Sequence, residues 1–200
     1  MFDLITNYLY MYHTNQFVIL PTYPDTISDS LNVAFNSETP MLRTSPIFAY
    51  SRSGPRSVQI TISLQRDLMA QINLGKSTLK MEIGDDYVDT IIKQLQAIAL
   101  PRYASTEKMV DPPLVAVRFG NEIFCKGVVS GDVTVNYDLP ILPNKKYAQV
   151  ELDFTLNEIE PYDAYTVQRE GSFRGLSQDL ERKIYKKVNW GINNAWYIKR

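Results

Sequence analysis

The chain has one cysteine and one histidine in 200 residues, and that scarcity removes most catalytic and metal chemistry at the outset. A lone Cys125 cannot form an intrachain disulfide, so assembly in a reducing cytosol is the expectation. It falls within a strand pattern, where a free thiol behaves as a buried, inert apolar group. His13 has no serine, cysteine or carboxylate at a spacing that would make a nucleophile and base pair, so a structural or surface histidine is expected. No CxxC, HExxH, glycine-rich phosphate loop or calcium-loop spacing occurs. The expectation is no enzyme activity, no catalytic residues, no cofactor and no metal. Long apolar runs are missing too: none approaches the ~18 residues that a membrane helix needs. The first twenty residues lack the cationic start and continuous apolar stretch of a secretory signal, so no signal and no membrane partner are expected.

What is present is a supply of strand formers. Thirteen tyrosines and eight phenylalanines favour sheet and provide contact area for interfaces. With 44% hydrophobic and 22% charged residues the chain can bury a core. A net charge of −1 conceals an asymmetry. Residues 169–200 carry eight cations against three carboxylates, a balance of +5, which leaves −6 on residues 1–168. An acidic body with a basic C-terminal arm suits self-complementary packing or an acidic partner.

The stretch from Gln149 to Asn157 shows the clearest pattern. Val150, Leu152, Phe154 and Leu156 point one way, and Gln149, Glu151, Asp153, Thr155 and Asn157 the other. Alternation of this length predicts a strand packed on one face and wet or partner-facing on the other. Similar alternation predicts strands through Leu31, Val33 and Phe35, through Val58, Ile60, Ile62 and Leu64, and through Val133, Val135 and Tyr137. Ile47–Tyr50 is a further apolar run, and SRSGPRS is taken as the turn that separates it from the strand at Val58. Gly120-Asn121 predicts a tight hairpin between Leu114–Phe119 and Glu122–Val129. Residues 1–16 resist assignment.

One internal helix is predicted over about Asp86–Ala99, with Val88, Ile91, Ile92, Leu95, Ile98 and Ala99 on one stripe. Asp85 or Asp86 would cap it, and Pro101 would end it. After Pro161 the period changes: Leu176, Leu180, Ile184 and Val188 recur at helical spacing, flanked by Arg182, Lys183, Lys186 and Lys187, with Trp190, Trp196 and Tyr197 beyond. The expected organisation is an N-terminal segment (1–30), a β domain (31–165) and a C-terminal helical arm (166–200). The arm's apolar and aromatic residues are the candidate assembly interface.

Two stretches and the helix between them are similar to baseplate and tail-tube adaptor proteins of contractile-tailed bacteriophages. They are ETPMLRTSPIFAYSRSGPRSVQITISLQRDLM, the helix DDYVDTIIKQLQAIALPRY, and VDPPLVAVRFGNEIFCKGVVSGDVTVNYDLPILPNKKYAQVELDFTLNEIEPYDA. The resemblance spans about Leu31 to Arg174 and takes in tube initiators and hub adaptors; no segment has room for the LysM module that some of the latter carry. It implies a mainly β (α+β) fold: a tail-tube-like antiparallel sandwich or split barrel with one flanking helix. It implies a homo-oligomer, commonly a hexameric ring, joined to other tail-tube and baseplate proteins in the virion after assembly in the host cytoplasm. DNA would meet the chain only in non-specific passage through the channel. Asp132, Glu151 and Asp153 are then the candidate channel-facing residues, since a carboxylate wall repels phosphates. Two other function classes compete with this one. The basic arm could serve a nucleic-acid-binding β domain, and Glu151 with Asp153 could act as a paired-carboxylate carbohydrate hydrolase.

Overall fold

The computed structural model describes residues 7–20, 22–41, 44–71, 86–103, 110–120, 122–160 and 163–170. In chain order the elements are β1 (Asn7–Met11), β2 (Gln16–Ile19), β3 (Thr26–Glu38), β4 (Ile47–Gln65), α1 (Arg66–Gln71), α2 (Tyr87–Ala97), β5 (Arg102–Tyr103), β6 (Val110–Asp111), β7 (Val115–Phe119), β8 (Ile123–Val129), β9 (Thr134–Ile141), β10 (Tyr147–Glu158) and α3 (Ala164–Glu170). The protein is mainly β. Among the described residues eight strands form one antiparallel sheet in the order β2-β1-β7-β8-β10-β4-β3, with β9 also on β10, while β5 and β6 form a separate short ladder.

β10 organises the sheet. Its residues 149–157 pair with Gln65–Ser57 of β4 along one edge. Along its other edge two strands follow one another: β8 pairs at Leu156–Glu158, and β9 at Tyr147–Asp153. Leu156 faces Val129 and Asp153 faces Thr134, so β8 and β9 are one long strand interrupted at 130–133. Gly131 takes φ +81° in that break, a conformation that a side chain would strain. Gly127 answers a different need. A Cβ there would lie 2.1 Å from the Asn157 carbonyl oxygen, so only glycine lets β8 approach β10 this closely.

The alternation of β10 holds as the sequence predicts: Val150, Leu152, Phe154 and Leu156 are buried, and the polar residues between them are half-buried outside the core. Ile60, Ile62 and Leu64 of β4, Leu9 and Met11 of β1, and Val115 and Val117 of β7 complete the same core. Helix α2 covers it with Val88, Ile91, Ile92 and Leu95, and Ile98 follows at its C-cap. The helix begins where the carboxylates predict. Asp86 is the N-cap, its side chain accepts from the Asp89 backbone N–H at 2.8 Å, and the Asp89 carboxylate reaches back to the Asp86 N–H. This reciprocal arrangement satisfies two otherwise orphaned donors.

The cap is also a junction. Arg66 Nη2 donates to Asp89 at 2.8 Å, and Arg66 pairs with Asp86 as well. Lys146 in the β9–β10 turn bonds both carboxylates, and Arg66 Nε donates to the Tyr147 carbonyl at 2.7 Å. Burial opposes ionisation of Asp89, but hydrogen bonds from Lys146 and Arg66 outweigh it and hold the carboxyl at about 2, well below its usual range.

Several expectations need correction. SRSGPRS is not a turn: β4 runs unbroken from Ile47 to Gln65 and pairs with β3 from Ile47 to Thr61, forming a long two-stranded ribbon where β10 no longer flanks it. Register shifts between Leu31 and Val33, and between Ala34 and Phe35, absorb the extra residues on β4 as bulges, so Gly54 and Pro55 need no chain reversal. A boundary at residues 30 and 31 falls inside β3, and β1 and β2 belong to the same sheet as the rest. β1 escaped assignment because all five of its residues are buried, which erases alternation. A boundary at 165 and 166 falls inside α3. The predicted arm helix with Leu176, Leu180, Ile184, Val188, Trp190, Trp196 and Tyr197 lies outside the described residues.

Candidate functional site

Strands β9, β10, β4 and β3 place one continuous polar face opposite the core. The register puts Asp138, Gln149 and Gln65 in one row, then Asn136, Glu151 and Ser63. The next row is Thr134, Asp153, Thr61 and Thr26, followed by Thr155, Gln59 and Ser28, and then Asn157, Ser57 and Ser30. Every one of these side chains is polar. The only charges are the carboxylates of Asp138, Glu151 and Asp153, and no lysine or arginine interrupts them. Asp153 accepts from Thr61 Oγ1 at 2.5 Å, and Gln149 Nε2 donates to Ser63 Oγ at 3.2 Å. Within these rows the face is therefore held internally and offers no cationic group to an anion, and the first cation on this side is Arg52, opposite Ala34 in the outer ribbon.

Two of the three predicted channel residues sit together here, with Glu151 and Asp153 two positions apart on β10. Asp132 does not join a strand. It is exposed in the break between β8 and β9. Asp138, which sequence reasoning missed, takes the third acidic place by pairing with Gln149. The signal was available, since Thr134, Asn136 and Asp138 continue the polar phase of the Val133, Val135, Tyr137 alternation.

Among the described residues the slab ends in two strands that each pair on one side only. β3 pairs with β4 and β9 with β10, so backbone donors and acceptors point outward along both margins of the face. The ribbon extends the slab beyond the body. At its root Arg56 is buried and binds Asp29 in a two-pronged ion pair of 2.8 and 2.7 Å. It also donates to the Phe124 carbonyl at 3.0 Å and lies 3.7 Å from the buried Glu158. One guanidinium thus ties together β3, β4, β8 and β10. The hydrogen bond with Asp29 is the main reason that Arg56 holds its proton more tightly than usual, although burial opposes it. Beside this cluster, burial and Glu158 push the Cys125 thiol up to about 12, in keeping with an inert core cysteine.

Other chemistry-bearing residues are dispersed. His13 is buried in the turn after β1, where its carbonyl accepts from Arg102 at 3.3 Å. Among the described residues no group of three metal-ligating side chains converges, and no helix is long and apolar enough to cross a membrane. Glu151 and Asp153 lie on the open slab. A cleft of about 650 Å³ lies elsewhere, between the ribbon root and α3. No protein-family model matches the chain, and no curated protein matches it.

Proposed function

We propose that this protein is a structural subunit of a bacteriophage tail, forming a ring in the baseplate hub or tube-initiation region that joins tube to baseplate and surrounds the DNA channel. One observation carries this reading: a polar face across β9, β10, β4 and β3 whose rows within the body hold three carboxylates and no cation, bounded on both sides by strands whose outer edges are open among the described residues. A head-to-tail repeat that paired β3 of one subunit with β9 of the next would close such slabs into a tube with the tail-tube-like architecture, and the polar face would line it. The core faces would then lie outward, under α2.

The energetics suit passage without capture. A carboxylate and a phosphate ~10 Å apart in water repel by about 0.4 kcal/mol. That is smaller than thermal energy for one pair, but it has the same sign in every copy around a ring. Serine, threonine, asparagine and glutamine fill the rest of the wall with groups that water serves equally well. DNA would slide without finding a site at which to stop.

The test is duplex-DNA retention by the purified full chain at low salt. The native protein should retain none, whereas the triple substitution Asp138→Lys, Glu151→Lys, Asp153→Lys should create retention that salt abolishes. Strong, steeply salt-dependent binding by the native protein would replace this reading with that of a nucleic-acid-binding domain using the basic arm.

A further inference from the structure

The core-side face of the β3–β4 ribbon does not end where the body ends. Beyond Arg56 it continues as Leu31, Val33 and Phe35 on β3 and Tyr50 and Phe48 on β4, each at least half exposed. Phe35 stands edge-on to Tyr50 with ring centroids 5.7 Å apart, so the residues form one apolar stripe. The stripe runs at its root into the cleft of about 650 Å³, which has Leu31 and Val33 on one wall and Ala164 and Val167 of α3 on the other.

We propose that this stripe is the docking site for the C-terminal segment, residues 171–200, of the same chain. The connection is direct. α3 lines the cleft at the root of the stripe and ends at Glu170, the residue to which the segment is joined. The lengths agree. A helix over residues 176–188 would be about 18 Å long, and the six steps of strand from Leu31 to Ser37, the partner of Phe48, extend about 20 Å. The faces agree, since Leu176, Leu180, Ile184 and Val188 make one apolar line on such a helix. The charges agree as well. Residues 171–200 carry seven cations and two carboxylates, whereas the cleft carries Arg56 against Glu158, Glu160 and Asp163. The inference does not depend on the ring, because the contact lies within one subunit.

The chain carries its own reporter. Its two tryptophans, Trp190 and Trp196, both fall in this segment, so the emission of the full-length protein reports on the segment alone. Docking predicts blue-shifted emission that resists acrylamide. The pair Phe35→Asp, Phe48→Asp should move it to the red and raise quenching several-fold, with the far-ultraviolet dichroism of the body kept. In a second measurement, Val33→Cys with Leu180→Cys should form an intrachain disulfide, seen as a faster-running monomer on a non-reducing gel, while the buried Cys125 stays free. Solvent-like emission in the native protein, emission unmoved by the ribbon substitutions, or failure of the disulfide to form would overturn the assignment. So would a blue shift that grows with protein concentration, since the occupant would then belong to a second copy.

Discussion

The two halves of β4 carry similar residues in different surroundings. From Ser57 to Thr61 the strand lies between β3 and β10, and β10 stays beside it to Gln65, with Val58, Ile60, Ile62 and Leu64 fully buried under α2. From Ile47 to Ser53 it has β3 alone, and Phe48 and Tyr50 on the continuing face are 65% and 61% exposed. The change falls at Arg56, whose charge cluster ties the last body row to four strands. Strand identity thus follows from backbone pairing and alternation, but burial depends on a covering layer. A layer is present over one half, and an apolar stripe waits for one over the other.

Breaking the junction should have the largest effect. Arg56→Met leaves Glu158 buried and Asp29 without its guanidinium, and losing one partner of a buried pair costs about 3–5 kcal/mol; urea denaturation would show it as a lower midpoint. A loss below about 1 kcal/mol would mean that the ribbon root is wetter than described. Core truncations come next. Leu152→Ala on β10 or Leu95→Ala on α2 should each cost about 2–5 kcal/mol, because both side chains are almost wholly enclosed. Phe35→Ala sharpens the contrast from the other side: cross-strand pairs on an open ribbon contribute about 0.2–1 kcal/mol, so its effect on the body should stay in that range.

A separate effect concerns acid. The folded-state pKa of Asp89 is depressed to about 2 from an ordinary 3.8. Its contribution is therefore fully present above the unfolded-state value and is lost as pH falls from there through the folded value. Urea midpoints measured across that window should fall more steeply for the native protein than for Asp89→Asn, and equal slopes would remove Asp89 from the acid response.

Much of this was legible in the sequence. The alternation of β10 gave the core face and the polar face, and the stripe of α2 with its aspartate cap located the covering helix. What stayed hidden has physical causes. β1 is enclosed on both faces, so Leu9 and Met11 do not stand out against Tyr8 and Tyr10. Gly54 and Pro55 carry turn chemistry that β-bulges absorb without reversing the chain. Asp132 and Asp138 are both acidic and six residues apart, and only strand pairing shows that Asp138 joins the polar face while Asp132 sits in the break before β9.

In the proposed ring, the polar face of β9, β10, β4 and β3 lines the lumen. Electron cryomicroscopy of assembled particles tests it most directly. The expected result is closed rings in which β3 of one subunit pairs with β9 of the next and Glu151, Asp153 and Asp138 face the central channel. Monomers under assembly conditions, or rings with those carboxylates on the outer surface and α2 toward the lumen, would contradict it.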